Sequence, residues 1–315
     1  MLSYLGQRLI ESAVVLFVMS FVIYGLIGLM PGDPIDLMIQ ADPNLSSADA
    51  TRLRALHGLD RPIHERYAVW LGNAVSGDLG YSRQFAAPVL DVLLPRLGNT
   101  ALLMGLSFVI ALALALPAGL LAANRPRSLL DHSINLFAFA GISIPPFWLA
   151  ILIIILFAVV LRWLPAGGMG ESGDPLDLLR HAVLPVAALT LATVGGIIRF
   201  VRAAAMEALR QDYVRTATAK GLNRFDVVIG HALRNAMIPV TTILALNFGT
   251  LFSGALITET MFGWLGMGKT IYDAIMASDF NLALAGLLFA TLVTLLANVL
   301  ADLVYVWLDP RISYR

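Results

Sequence analysis

Met206–Val240 reads MEALRQDYVRTATAKGLNRFDVVIGHALRNAMIPV, the longest polar interruption in the second half of a very apolar chain. Met206, Leu209, Tyr213 and Ala217 recur at helical spacing and predict one weakly apolar stripe, with Arg210, Asp212, Arg215 and Lys220 off it. Lys220-Gly221 predicts a helix end: a cation against the dipole, then a residue that tolerates left-handed backbone angles. Asn223 followed three residues later by Asp226 resembles a capping box with Asp in place of Glu, so a second helix restarts at once. The expected product is a stiff, charged elbow between two hydrophobic spans. Two readings of it stand side by side. A basic amphipathic helix can lie on anionic lipid. Glu207, Asp212 and Asp226 dilute the positive charge, however, and lipid binding has no need of a Gly-centred restart, which favours a protein partner.

The flanks of the elbow set the class. Of 315 residues, 58% are hydrophobic and 13% charged, and the mean hydropathy is +0.80. A soluble core does not need that much apolar residue. Several runs approach the ~20 residues that cross a hydrocarbon core, and they are continuous rather than alternating. The expected class is therefore all-α and polytopic, not a β-barrel. Zero net charge implies no bulk electrostatic partner such as nucleic acid. The absence of cysteine excludes disulfides, thiolate catalysis and cysteine metal sites. The opening MLSYLGQRLIESAVVLF is expected to be a retained first span, because its apolar run continues to Met30 with no small-residue cleavage site.

Six spans are expected. They run at about Leu9–Met30, Thr100–Ala123, Ser133–Leu161, Ala182–Ala204, Ala236–Leu256 and Leu282–Leu308. The organisation is residues 1–95 as first helix plus extracytoplasmic insertion, 96–308 as a five-helix core containing the 206–235 loop, and 309–315 as a tail. Within the polar segment from about Pro31 to Gly98, Ser46 with Asp49 starts a short helix that Gly58 closes. Pro62 opens a second helix carrying Tyr67, Trp70 and Leu71, and Gly77–Gly80 is a turn. The segment is either a cap on the membrane face or part of a docking surface for an extracytoplasmic partner. The third run is too long for one crossing, and Pro145-Pro146 must break it, either as a pathway-lining break or as a packing kink. Residues from about Arg162 to His181 read as a loop. Six spans place both termini on one side, and the distribution of arginine over the short loops makes that side, and the elbow, cytoplasmic. Arg162, Arg180 and Lys269 then fall on the outer side.

The search for chemistry turns up one formal motif. Gly263–Thr270 satisfies the phosphate-loop pattern G-x-x-x-x-G-K-[ST]. The mechanism requires a preceding strand and a parallel sheet. A hydrophobic span precedes it here, so it is expected to be a turn between the last two spans. The five histidines have no metal-ligand spacing, and no nucleophile–base constellation is visible, so no catalytic, cofactor or metal site is expected. Charged residues inside spans are functional candidates. Arg199 and Arg202 lie near the inner end of the fourth span and Asp302 near that of the sixth, so Asp302 pairing with either arginine is one expectation and separate snorkelling the other. Glu259, after the fifth span, reads as a loop or interface residue.

Several stretches together carry a resemblance. Glu207–Leu222 followed by His231–Pro239 is similar to the EAA loop of binding-protein-dependent ABC importer permeases, and more narrowly to the dipeptide, oligopeptide and nickel branch. Pro31-Gly32-Asp33-Pro34, Gly77-Asp78-Leu79-Gly80, Ser143–Trp148, Glu259-Thr260-Met261-Phe262 and Leu308-Asp309-Pro310-Arg311 extend it over nearly the whole chain. The long first outer loop resembles that of the first permease of a pair. One departure is Leu265, where the family carries a proline. The resemblance implies a type I ABC importer fold in the bacterial inner membrane. It also implies a second homologous permease, two ATPase subunits that bind ATP and Mg, and a solute-binding protein outside. It implies no enzymatic activity in this chain, and translocation of peptides, nickel chelates, opines or glutathione. By the same resemblance the elbow is the coupling helix, with Asp212, Arg215, Thr216, Ala217, Lys220, Gly221, Leu222 and Phe225 toward an ATPase. An ion-gradient-coupled secondary transporter is the rival reading, and it would need coupling acids near mid-membrane.

Overall fold

The computed structural model describes residues 2–29, 52, 60–171 and 174–308. Among the described residues the regular structure is helical apart from a hairpin of two two-residue strands. Helix α1 is Leu2–Ile27 and α2 is Ile63–Val75. Strands β1 (Tyr81–Ser82) and β2 (Ala87–Pro88) pair antiparallel. Helices α3 (Val89–Asn124), α4 (Leu129–Ser143), α5 (Pro146–Ile153, continued by a π-helical turn Ile154–Val160) and α6 (Pro175–Ala208) follow. Then come α7 (Asp212–Ala219), α8 (Arg224–Asp226, continued by a π-helical turn Val227–Leu233), α9 (Arg234–Phe262), α10 (Met267–Met276) and α11 (Phe280–Leu308). Among the described residues, four helical stretches are long and apolar enough to cross a membrane: Gly6–Ile27, Val89–Asn124, Pro175–Ala208 and Phe280–Leu300. The pair α4–α5 is bent by 101° and makes a fifth if it counts as one span. The predicted motifs at Pro31–Pro34, Ser46–Asp49, Gly58 and the 309–315 tail lie outside the described residues.

The helix boundaries have local causes. Ser128 caps α4 by accepting from the Asp131 amide at 3.2 Å, and Asp174 caps α6, with Pro175 at its first position. Pro145 and Pro146 deny α4 its continuation and restart the chain as α5, as expected of a proline pair. Three expectations need correction. The helix that carries the second span starts at Val89, ahead of the expected crossing at about Thr100–Ala123, because the hairpin turns the chain directly into the helix. At ~1.5 Å per residue its 36 residues give ~54 Å, longer than a bilayer. The presumed loop at 162–181 ends at Pro175, where Asp174 supplies a cap. The presumed turn at Gly263–Thr270 is a turn only as far as Gly266, since α10 begins at Met267.

The chain divides into two compact units. In the first (Met1–Leu5, Gly98–Lys269 and Thr294–Arg315), α6 is the central post, packed on α4, α5 and α9. Its buried face carries Val194, Ile197, Ile198, Val201 and Ala205, against Ala111 and Ala115 of α3, Ala138 of α4, and Ala236, Val240 and Leu244 of α9. Small residues set how close these helices come. A Cβ on Gly195 would run into the Ala138 carbonyl, which is the close backbone approach characteristic of helices packing in lipid. In the second unit (Gly6–Leu97 and Thr270–Val293), Tyr67 of α2 is buried among Phe17, Phe21 and Tyr24 of α1, and its hydroxyl meets Ser20 Oγ at 2.7 Å. There the hairpin sits on the turn between α10 and α11, because Asp279 accepts from Ser82 Oγ (2.6 Å) and the Gln84 amide (3.0 Å).

Candidate functional site

The elbow follows directly from α6. The expected continuous helix from Met206 does not form: α6 closes at Ala208, Gln211 is extended, and α7 starts at Asp212. Helix α7 ends as anticipated. Gly221 has φ +86°, its amide donates to the Thr218 carbonyl (3.0 Å), and the Leu222 amide reaches back to Ala217 O (3.3 Å). These two bonds satisfy the orphan carbonyls of the last turn. Asn223 then accepts from the Asp226 amide at 2.9 Å. Its own side-chain amide donates to the Asp226 carboxylate, in place of the backbone bond of a standard capping box. The restart runs through the π-helical turn into α9 with no intervening loop.

Three features make the elbow stiff. Val214 and Ala217 of α7 bury against Val227, with Leu209 beside them. Tyr213, whose phenol pKa is pushed up by partial burial, hydrogen-bonds Asn235 at the start of α9. Arg224 donates from Nε to Asn124 Oδ1 at 2.7 Å and from Nη2 to the Asn124 carbonyl, so it clasps the C-terminal end of α3. The elbow therefore joins α6, α9 and α3. Of the predicted contact residues, Asp212, Arg215, Thr216, Lys220, Gly221, Leu222 and Phe225 are exposed, and Phe225 is 72% accessible despite being apolar. Ala217 is the exception: it faces inward and supports the surface instead of forming it.

Above the elbow, Arg202 of α6 has a partner other than the expected Asp302. Its Nε and Nη2 donate to the two oxygens of Asp131 at 2.6 and 2.8 Å. Asp131 is 2% exposed and also accepts from the Arg127 amide (2.9 Å) and from Asn135 Nδ2 (2.7 Å). Arg199 lies over the Phe139 ring at 4.4 Å, a cation–π contact. Asp302 is half-buried on α11. Sequence reading missed Asp131, which lies ahead of the expected start of the third span at about Ser133. The signal was present in Ser128 three residues earlier, a cap that puts Asp131 inside the first helical turn. The break at Pro145 and Pro146 is exposed, together with Phe147 and Trp148.

At the far end of α9, Glu259 is no loop residue. It is fully buried within the helix. Thr100 Oγ1 donates to its Oε1 at 2.6 Å, and the Lys269 amide donates to its Oε2 at 3.0 Å. The Met267 amide donates to Thr100 Oγ1 at 2.8 Å. Helix α10 is thus capped by two side chains from other helices. Gly266 is a glycine because a Cβ there would strike the Glu259 carboxylate, and Gly268 because a Cβ there would strike the Leu256 backbone of α9 one turn before Glu259. That packing accounts for the false phosphate-loop motif, whose preceding element is a helix and not a strand. Glu259→Ala strands the Thr100 hydroxyl and the Lys269 amide in a buried site. It should cost about 2–3 kcal/mol of stability, read by denaturant unfolding in detergent. A loss below about 0.5 kcal/mol would show that the node carries no weight.

Comparison with known proteins agrees with this architecture. The pattern of the binding-protein-dependent transport system inner membrane component matches residues 115–314, and that of the N-terminal region of such components matches residues 1–104. The oligopeptide transport system permease protein AppB of Bacillus subtilis is 35% identical over 318 residues, covering 100% of both chains. The di/tripeptide transport system permease protein DppB of Pseudomonas aeruginosa is 36% identical over 339 residues, again covering 100% of both. Among solved structures, a chain of the inward-facing MetNI methionine ABC transporter superposes with a TM-score of 0.58 at 17% identity, covering 70% of this chain and 97% of that one. This last likeness shows the shared fold. The chain belongs to the family of binding-protein-dependent transport system inner membrane components: it is a multi-pass permease subunit of an ABC importer, and the ATPase is a separate subunit.

Proposed function

We propose that this chain is one of two homologous permeases of an ATP-driven importer for di- or oligopeptides, and that α7–α8 is the segment an ATPase subunit moves. On this reading there are six spans, with α9 as the fifth crossing and α4–α5 as one broken crossing. An even number puts both termini on one side, and the arginines of the short loops favour the cytoplasm for it and for the elbow. A solute-binding protein would deliver cargo on the opposite side, beside the segment that follows α1. The observation that carries the reading is the elbow itself. It is polar and exposed, braced from within, and continuous with two long helices, so a push on it rotates them as rigid bodies. The exposed Leu222 and Phe225 suit a hydrophobic groove on the partner. The exposed break at Pro145-Pro146 supports a pathway-lining role over a packing kink, since broken backbone at membrane depth requires protein or water beside it. Peptide cargo rests on the named relatives.

The chain has no cysteine, so single cysteines report cleanly. In the complex reconstituted with its two ATPases, Phe225→Cys should cross-link to an ATPase subunit, and di- or tripeptide uptake into vesicles should require ATP. Uptake driven by an ion gradient without ATP would overturn the reading.

A further inference from the structure

At the end of α6 away from the elbow, Arg162, Leu164, Pro165, Asp177, Arg180 and His181 line a cavity of about 270 Å³. That is room for about nine waters at ~30 Å³ each. Its acid is already engaged. Asp177 accepts from the Glu171 amide at 2.8 Å and lies 3.4 Å from His181 Nδ1, which also meets the Asp177 carbonyl at 2.8 Å. The two guanidinium groups are not engaged: among the described residues, neither Arg162 nor Arg180 makes an ion pair. The backbone at Arg162 is unusual. It has φ +56°, in the left-handed region, and follows directly on the π-helical turn Ile154–Val160. Non-glycine residues in that region and π-helical turns both concentrate at functional positions.

The rim suggests what the arginines hold. Val160, Trp163, Leu176 and Leu179, each within two positions in the chain of a cavity-lining residue, are 66%, 63%, 76% and 50% exposed. Trp and Arg at the end of spanning helices beside exposed aliphatic side chains mark the level of lipid headgroups. A guanidinium fork is matched to phosphate oxygens, and acyl chains could run along the exposed aliphatic rim. On the reading that puts the elbow in the cytoplasm, these are arginines on the outer side, where the positive-inside pattern disfavours them unless something anionic compensates.

We propose that this cavity binds the phosphate of an anionic phospholipid. The test uses the assembled complex in mixed micelles of phosphatidylglycerol and phosphatidylcholine, with bound lipid counted by native mass spectrometry. The wild-type complex should retain phosphatidylglycerol selectively, and R162Q/R180Q should lower that retention about tenfold, or ~1.4 kcal/mol. The control R125Q/R127Q removes two arginines from the loop between α3 and α4 and should leave retention unchanged. Equal retention in wild type and R162Q/R180Q would overturn the proposal, as would an equal loss in the control, which would signal bulk charge. A carboxylate has the same fork chemistry. If a tripeptide with a free C-terminus displaces the lipid while its C-terminal amide does not, the site serves cargo and the lipid proposal falls.

Discussion

Gly221→Pro should lower ATP-driven peptide uptake by roughly 100-fold, about 2.7 kcal/mol of coupling, while the complex still assembles in the membrane. The native φ is +86°, and proline is locked near −65°. Proline also removes the amide that bonds to Thr218 O and disfavours the helical conformation of Lys220, which has φ −75° and ψ 0°. The C-cap of α7 therefore unravels and the elbow softens. The buried face of α6 is untouched, so insertion into the membrane should survive. Gly221→Ala is the sharper comparison. A Cβ at Gly221 meets nothing within 4 Å, so alanine brings only the left-handed strain of ~1 kcal/mol and should retain most of the uptake. In the isolated chain Gly221→Phe carries the same strain and has open space. If it fails where alanine works, the space beside Gly221 is filled by an ATPase in the working complex. Wild-type uptake by Gly221→Pro would end the coupling reading.

What could be read from the chain beforehand is what local physics dictates. Continuous apolar runs gave the four long apolar helices and the bent α4–α5 pair, Lys220-Gly221 gave the end of α7, Asn223 with Asp226 gave the restart, and Pro145-Pro146 gave the break. The misses around α10 and at Ala217 share one cause: the deciding partner lies elsewhere in the sequence. Helix α10 looked like a turn because nothing next to Met267 caps it; its caps are Thr100 and Glu259, from α3 and α9. Gly266 and Gly268 looked like a phosphate loop because their real constraints, the Glu259 carboxylate and the Leu256 backbone, are visible only once α9 and α10 are folded together. The elbow surface was legible except at Ala217, which the cluster with Val214 and Val227 turns inward. Arg202 was singled out as a charge inside a span, but its partner Asp131 lies 71 positions earlier, ahead of the expected start of the third span.

Asp131→Ala should destabilise the protein by about 2–3 kcal/mol, measured by SDS-induced unfolding of the purified chain. The buried carboxylate answers four donors: Arg202 Nε and Nη2, the Arg127 amide and Asn135 Nδ2. Removing it strands the guanidinium and an amide at once. Arg202 keeps a quarter of its side chain accessible and can turn partly toward water, which holds the cost to the low end of the range for buried pairs. Asp131→Asn keeps one acceptor for the Arg127 amide and should fall between alanine and wild type. The pair also has a mechanical consequence. Arg202 lies six residues before the end of α6, ~9 Å along the axis from the elbow, and Asp131 is in the first turn of α4. The ion pair therefore makes the start of α4 follow α6 when the elbow moves, so Asp131→Ala should lower uptake by more than its loss of folded protein explains. A double-mutant cycle of Asp131→Ala with Arg202→Ala should show a coupling of about 1.5–3 kcal/mol, and the cycle of Asp302→Ala with Arg202→Ala should stay near zero. The reverse outcome would return Arg202 to Asp302 and leave α4 free of α6 at the elbow end.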